Sequence, residues 1–319
     1  MLLCRKSNGG LKTILVLVFF VVISLAGSCT KEVPSSPSFI PYRDWETTSQ
    51  LKVATYDIID FPHQSSAVFG EYAFFVSNGR SRICMYNIAK KKVLFTSEFK
   101  GEDVKTFHCN QSSFGVKKYV ETDPFPLLYV SQRAKSDGRC FVEVFRILPV
   151  LDESKTEYVS FSVELVQKIC FPVMTYENSL GNANCVIDVA SDLMYTYSRN
   201  NNKLDDNYGI CKISQFAIPS LDERTVYLED VDIVDSFIVD CQAANMQGGC
   251  IHDGILYIGQ GYNSVGYIYL NIIDLNKKKL VRRFDLMQFG VYWEPEGCFY
   301  YDGNVMLTHS AGICRIVKQ

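Results

Sequence analysis

The sequence has little of what usually announces chemistry. Only four histidines occur in 319 residues, His63, His108, His252 and His309. No two of the twelve cysteines stand as C-x-x-C, which removes zinc ribbons and thioredoxin-like redox motifs. A G-x-S-x-G elbow, an H-E-x-x-H pair, a P-loop and a dinucleotide fingerprint are all missing. Lys and Arg total 32 against 35 Asp and Glu, for a net charge of −3, so there is no basic excess to hold nucleic acid. The N-terminal apolar run, Thr13 to Leu25, falls short of the roughly 20 residues of a membrane span. No metal site, cofactor or catalytic residue is assigned on these grounds.

What is present is a repeated strand pattern. Gln247 to Asp253, Ile255 to Gly259, Tyr267 to Leu275 and Lys279 to Leu286 read as four short strands separated by Gly, Asn and Asp turns. Four strands at a fixed interval are the mark of a propeller blade. The second strand recurs as Ala73-Phe-Phe-Val-Ser, Leu127-Leu-Tyr-Val-Ser, Leu193-Met-Tyr-Thr-Tyr, Ile255-Leu-Tyr-Ile-Gly and Asn304-Val-Met-Leu-Thr. The basic turn Asn87-Ile-Ala-Lys-Lys-Lys repeats as Asp274-Leu-Asn-Lys-Lys-Lys. The pattern predicts an all-β propeller of five four-stranded blades, with six as the competing count. Segments such as Leu151 to Tyr158 and Leu228 to Asp240 are read as insertions. The last blade has only three strands before the chain ends, and Lys52-Val-Ala-Thr-Tyr-Asp-Ile matches the outer strand Leu280-Val-Arg-Arg-Phe-Asp-Leu. An N-terminal strand is therefore expected to complete the C-terminal blade and hide both sheet edges.

The cysteines follow the repeat. Cys84, Cys140, Cys211 and Cys314 share one strand position, and Cys185, Cys250 and Cys298 another. Recurrence at one structural position predicts small, reduced packing residues rather than a disulfide framework.

Arg5, Lys6 and Lys12 precede the apolar run, and Ala26-Gly-Ser-Cys29 follows it, as in a secretory signal. Leu25-Ala-Gly-Ser-Cys29 resembles a bacterial lipobox of the loose Bacteroidetes form. The resemblance implies cleavage before Cys29 and a lipid anchor there. Thr30, in place of an aspartate, favours the outer membrane by the same analogy, with the periplasmic or surface side open. The chain thus divides into a signal peptide at 1–28, a lipidated Cys29 with a tether to residue 50, and one propeller at 51–319.

A propeller's first strands line its central channel. The residues leading into them are Gln64, Gln111, Asn184, Gln247 and Glu296, an amide or carboxylate once per blade. With His108, Trp293, Glu294 and His309 beside them, they form the candidate ligand-binding set. Amides and carboxyls pair with hydroxyls, and a Trp face stacks on a sugar ring or a peptide. The competing reading is that the ring caps backbone groups crowded at the axis.

Further resemblances rest on two sets of runs, His108-Cys-Asn-Gln-Ser-Ser-Phe-Gly with Phe125-Pro-Leu-Leu-Tyr-Val-Ser, and Gln247-Gly-Gly with Glu294-Pro-Glu-Gly. These runs resemble an uncharacterised Bacteroidetes lipoprotein family. More distantly, they are similar to the five-bladed propellers of teichoic-acid-biosynthesis and phage receptor-binding proteins. The Q-G and E-P-E-G elements are also loosely similar to plant-type glutaminyl cyclases. Taken together the leading expectation is an envelope binding or scaffolding module for a glycan or peptide. The alternative is a propeller enzyme, a carbohydrate lyase or hydrolase or a cyclase, using Glu294 and Glu296 with a histidine. Oligomeric state is left open.

Overall fold

The computed structural model describes residues 51–77, 81–99, 109, 111–132, 139–172, 184–199, 209–262, 266–309 and 312–318. The segments expected above to be a signal peptide and a tether, with Cys29, and also His108, lie outside these residues.

Hairpin turns set the architecture. Asp253 and Gly254 both take positive φ, as do Asp302 and Gly303. This is the type I′ geometry whose twist matches that of the strands it joins. In the two basic turns the Asn87 and Asp274 side chains accept from the amides of Lys90 and Lys277, at 2.8 and 2.9 Å. Lys91 and Lys278 then take the left-handed conformation in both.

The strands pair into five sheets. Blade 1 is β2 (Ser65–Phe69), β3 (Tyr72–Val76), β4 (Arg82–Asn87) and β5 (Lys92–Glu98). Blade 2 is β6 (Ser112–Phe114), β7 (Leu128–Gln132), β8 (Phe141–Leu151) and β9 (Tyr158–Cys170). Blade 3 is β10 (Asn184–Asp188), β11 (Leu193–Arg199), β12 (Ile210–Ala217) and β14 (Ile233–Gln242). Blade 4 is β15 (Met246–His252), β16 (Ile255–Gly261), β17 (Ile268–Asp274) and β18 (Lys279–Asp285). Blade 5 is β19 (Gly297–Tyr301), β20 (Asn304–His309) and β21 (Gly312–Lys318), completed by β1 (Leu51–Ile58). The first strands β2, β6, β10, β15 and β19 touch one another in cyclic order, β19 returning to β2. The protein is a five-bladed β-propeller closed by its N-terminal strand.

Two details depart from the expected pattern. Blade 2 carries a fifth strand, β13 (Thr225–Tyr227), laid parallel against the end of β9. The Leu228–Asp240 segment is not an insertion, because most of it is β14, the outer strand of blade 3.

The core is divided among the five blade–blade interfaces. In β3, Phe74 and Val76 face blade 2, while Ala73 and Phe75 face blade 5. In β16, Tyr257 packs toward blade 5, and Leu256 and Ile258 toward blade 3. Successive side chains of a strand point to opposite faces. A middle strand buried on both faces is therefore apolar throughout, which is why Ala73-Phe-Phe-Val and Ile255-Leu-Tyr-Ile show no polar alternation. Phe74 illustrates the packing, edge-on to Phe114 and Phe125 at 5.3 and 5.2 Å between ring centroids. The ten described cysteines are free, nine of them buried in these layers.

Candidate functional site

Each predicted ring residue stands at the start of a first strand and is buried. The ring is nevertheless not one set of equal groups. On one side its amide N–H donors are engaged in closing the channel. Gln111 Nε2 donates across the axis to the Gly249 carbonyl at 2.8 Å, and its Oε1 accepts from the Gly249 amide at 2.6 Å. Asn184 Nδ2 donates to the Met246 carbonyl at 3.3 Å. These two side chains satisfy backbone groups of blade 4, the capping role weighed against ligand binding.

Tyr197 completes the plug. It is fully buried, and its hydroxyl donates to the Gln247 carbonyl at 2.5 Å, with Gln111 Oε1 at 3.4 Å. The residues ending the five aligned second strands are Ser77, Ser131, Tyr197, Gly259 and Thr308. Four are small and one is a tyrosine, so one blade fills the axis that the others leave open. This comparison was available in the sequence and would have located the plug.

The other side of the ring gathers chemistry. A bulge between Met246 and Gly249 re-aims Gln247, whose Nε2 donates to Glu294 Oε1. Gln64 Nε2 donates to Glu296 Oε2. Between the two carboxyls Pro295 lies over Gly259, where a Cβ would come within 2.9 Å of the proline ring. The missing side chain in β16 is what lets the 294–296 loop seat. Trp293 stacks on His309 with ring centroids 4.2 Å apart, and both are partly exposed. Tyr292 stands out into solvent.

The electrostatics follow from burial. Desolvation pushes the Glu294 carboxyl up to about 7. Glu296 is pushed further, to about 9, by its own burial and then by the charge of Glu294, against the lowering effect of the Gln64 hydrogen bond. Burial draws His63 down to about 4, with His309 nearby acting in the same direction and the Phe61 carbonyl opposing. The His63 Nδ1 faces that carbonyl at 2.8 Å and so carries the proton, since a carbonyl only accepts. Its Nε2 is then a buried acceptor without a partner among the described residues. His309 is also drawn down by burial.

The mouth between blades 4, 5 and 1 therefore offers carboxyls shifted toward the protonated form, amides and an aromatic wall. His108 lies outside the described residues. His252 is at the far end of β15, stacked on Tyr300. Among the described residues no group of three or more His, Cys, Asp and Glu side chains converges as a metal site. A groove of about 880 Å³ lies elsewhere, on the opposite rim between blades 1 and 2, lined by Glu71, Tyr72, Lys92 and Tyr158 among others. None of the ring residues borders it.

No protein-family model matches the sequence, and no curated protein matches it. Among solved structures, the glutaminyl cyclase of Myxococcus xanthus is similar at 9% identity and a TM-score of 0.45, covering 84% of this chain and 98% of its own. A Thermus thermophilus protein described as a putative oxidoreductase (glucose dehydrogenase) gives 9% identity and 0.44, covering 84% of this chain and 100% of its own. The computationally designed Ika8 protein gives 7% and 0.34, covering 83% and 98%.

Proposed function

We propose that the protein is an envelope lipoprotein of the Bacteroidetes type, anchored through Cys29 in the outer membrane. Its propeller captures a hydroxyl-rich ligand, a glycan, at the mouth formed by Gln64, Gln247, Trp293, Glu294, Glu296 and His309. The observation that carries this reading is the pairing of Gln247 with Glu294 and Gln64 with Glu296, both carboxyls raised toward the neutral form, beside the Trp293–His309 wall. A neutral carboxyl and an amide each donate and accept, as a hydroxyl does, and an aromatic face takes the apolar side of a sugar ring. Gln111, Asn184 and Tyr197 hold the floor of the site.

A glycan array read with purified protein tests the site. Trp293→Ala and Glu294→Gln are expected to weaken the retained ligand at least tenfold, and a Glu157→Gln control on the opposite rim to leave it unchanged. Full binding by both mouth variants would overturn the reading. The anchor is tested separately by palmitate labelling in the bacterial host, expected for the native chain and lost in Cys29→Ser. Equal labelling of the two would remove the lipobox assignment.

One observation favours a second reading. A carboxyl raised to about 7 is matched to general acid–base work at neutral pH, and Glu294 is such a group. Under that reading the array ligand is consumed rather than retained, or a glutaminyl peptide is cyclised, and Glu294→Gln abolishes turnover while sparing binding.

A further inference from the structure

Two first strands approach each other more closely than ordinary side chains permit. A Cβ at Gly248 would stand 2.5 Å from the Gly297 Cα and 2.7 Å from the Glu296 carbonyl oxygen. The close approach of β15 and β19 brings together the cysteines that follow, Cys250 and Cys298, with Sγ atoms 3.3 Å apart. Both belong to the core layer between blades 4 and 5. Their environments differ in one useful respect. Cys298 is fully buried, whereas Cys250 is the one described cysteine that is partly exposed.

We propose that Cys250 and Cys298 form a dithiol that closes to an inter-blade disulfide when a small or protein-borne disulfide oxidises it. The cross-link ties β15 to β19 two residues from Glu296 and three from Gln247, fixing the spacing of the two strands that carry the mouth. It does not depend on the ligand proposed above.

The chemistry balances within thiol–disulfide exchange. The Cys250 thiolate attacks one sulfur of the oxidant, whose other sulfur leaves as a thiolate and takes a proton. Cys298 then gives up its proton and attacks the Cys250 sulfur of the mixed disulfide, expelling the second thiol. Two protein thiols are oxidised to one disulfide, and one disulfide is reduced to two thiols. The sulfurs need to close from contact to the bond length of about 2.05 Å, a movement of about 1.2 Å. Burial holds the Cys298 thiol above its usual range, so the second step quickens with pH. Exported chains meet such oxidants, and chains kept in a reducing compartment do not.

Fully reduced native protein is incubated with glutathione disulfide, the remaining thiols are alkylated, and intact mass and peptide maps are recorded. The expected product has lost two hydrogens and yields a Cys250–Cys298 cross-linked peptide. Cys298→Ser is expected to stop at a stable glutathione adduct on Cys250, and Cys250→Ser to gain neither adduct nor cross-link at Cys298. The other close pair, Cys211 and Cys241 on β12 and β14 of blade 3, supplies the internal competitor. A cross-link mapped only to Cys211–Cys241 would overturn the proposal. A lasting adduct on Cys250 of the native chain with Cys298 still alkylatable, or no reaction at all, would do the same.

Discussion

Glu296 concentrates the cost of building the mouth. Its carboxyl binds its proton up to about pH 9 in the folded chain, against 4.5 for an ordinary glutamate. Between those values the folded state holds more protons than the unfolded state, so stability falls as pH rises through the window. His63 acts with the opposite sign, because its folded value of about 4 lies below 6.5 and its contribution falls as pH drops from 6.5 to 4. Glu294, raised to about 7, loses stability over the same lower range. Between pH 4.5 and 6.5 His63 therefore offsets only one of the two carboxyls, and of these three groups only Glu296 goes on losing stability above about pH 7. Glu296→Gln imitates the protonated acid and removes that slope. Urea unfolding at about pH 6 and about pH 9 is expected to show the native chain losing on the order of a few kcal/mol more than the variant. Parallel losses in the two proteins would mean that the carboxyl ionises normally. Glu296, Gln64 and Gln247 are legible in the sequence because each immediately precedes or opens a first strand, a place fixed by the repeat. Which of the five amides and acids are consumed by the fold is not legible. Gln111 is spent on Gly249 across the axis, and no spacing within one blade reports a partner two blades away.

At the scale of elements, legibility tracks turn chemistry. β15 and β16 are delimited by Asp253-Gly254, β19 and β20 by Asp302-Gly303, and the third and fourth strands of blades 1 and 4 by their Asx-capped lysine turns. Each of these is a local backbone requirement written in one or two residue types. β14 has no such delimiter. It follows β12 after β13 and a 3₁₀ turn at Asp230–Asp232, and only two of its ten residues are buried. An outer strand with one weakly covered face lacks the apolar run that marks β3 or β16, so its sequence reads as an insertion. β13 is invisible for a different reason. Its three residues pair in parallel with β9, a contact set by the long β8–β9 hairpin rather than by any periodicity of its own. The cysteines show how far a repeat argument reaches. Equivalent positions in successive blades correctly imply packing residues, yet Cys250 and Cys298 meet where Gly248, lacking a side chain, lets β15 come close to β19.

A propeller is a ring, and a ring has one seam. Here the seam is β1 against β21, antiparallel from Leu51↔Lys318 to Ile58↔Gly312 with a break between Thr55 and Asp57. The strand is also stitched to blade 1 on the far side of the seam. Tyr56 Oη donates to the Ile88 carbonyl at 3.1 Å, Lys91 Nζ donates to the Tyr56 carbonyl at 2.8 Å, and Tyr86 Oη donates to Asp57. At about 1 kcal/mol net per hydrogen bond, ladder and stitches together approach the roughly 5–15 kcal/mol by which a domain is stable at all. Removing residues 51–58 also bares the β21 edge, a template for pairing with other chains. A chain beginning at residue 59 is therefore expected to unfold at lower temperature and to elute on size exclusion as larger oligomers than a chain beginning at 51. Adding the 51–58 peptide in trans should restore part of the lost thermal stability, because the vacated edge is specific in register as well as in hydrogen bonding. A monomeric 59–319 chain with unchanged melting would show that the five inter-blade cores close the ring without the strand. Those cores, rather than the seam, would then set the spacing of Glu296 and Gln64 across the blade 5–blade 1 boundary.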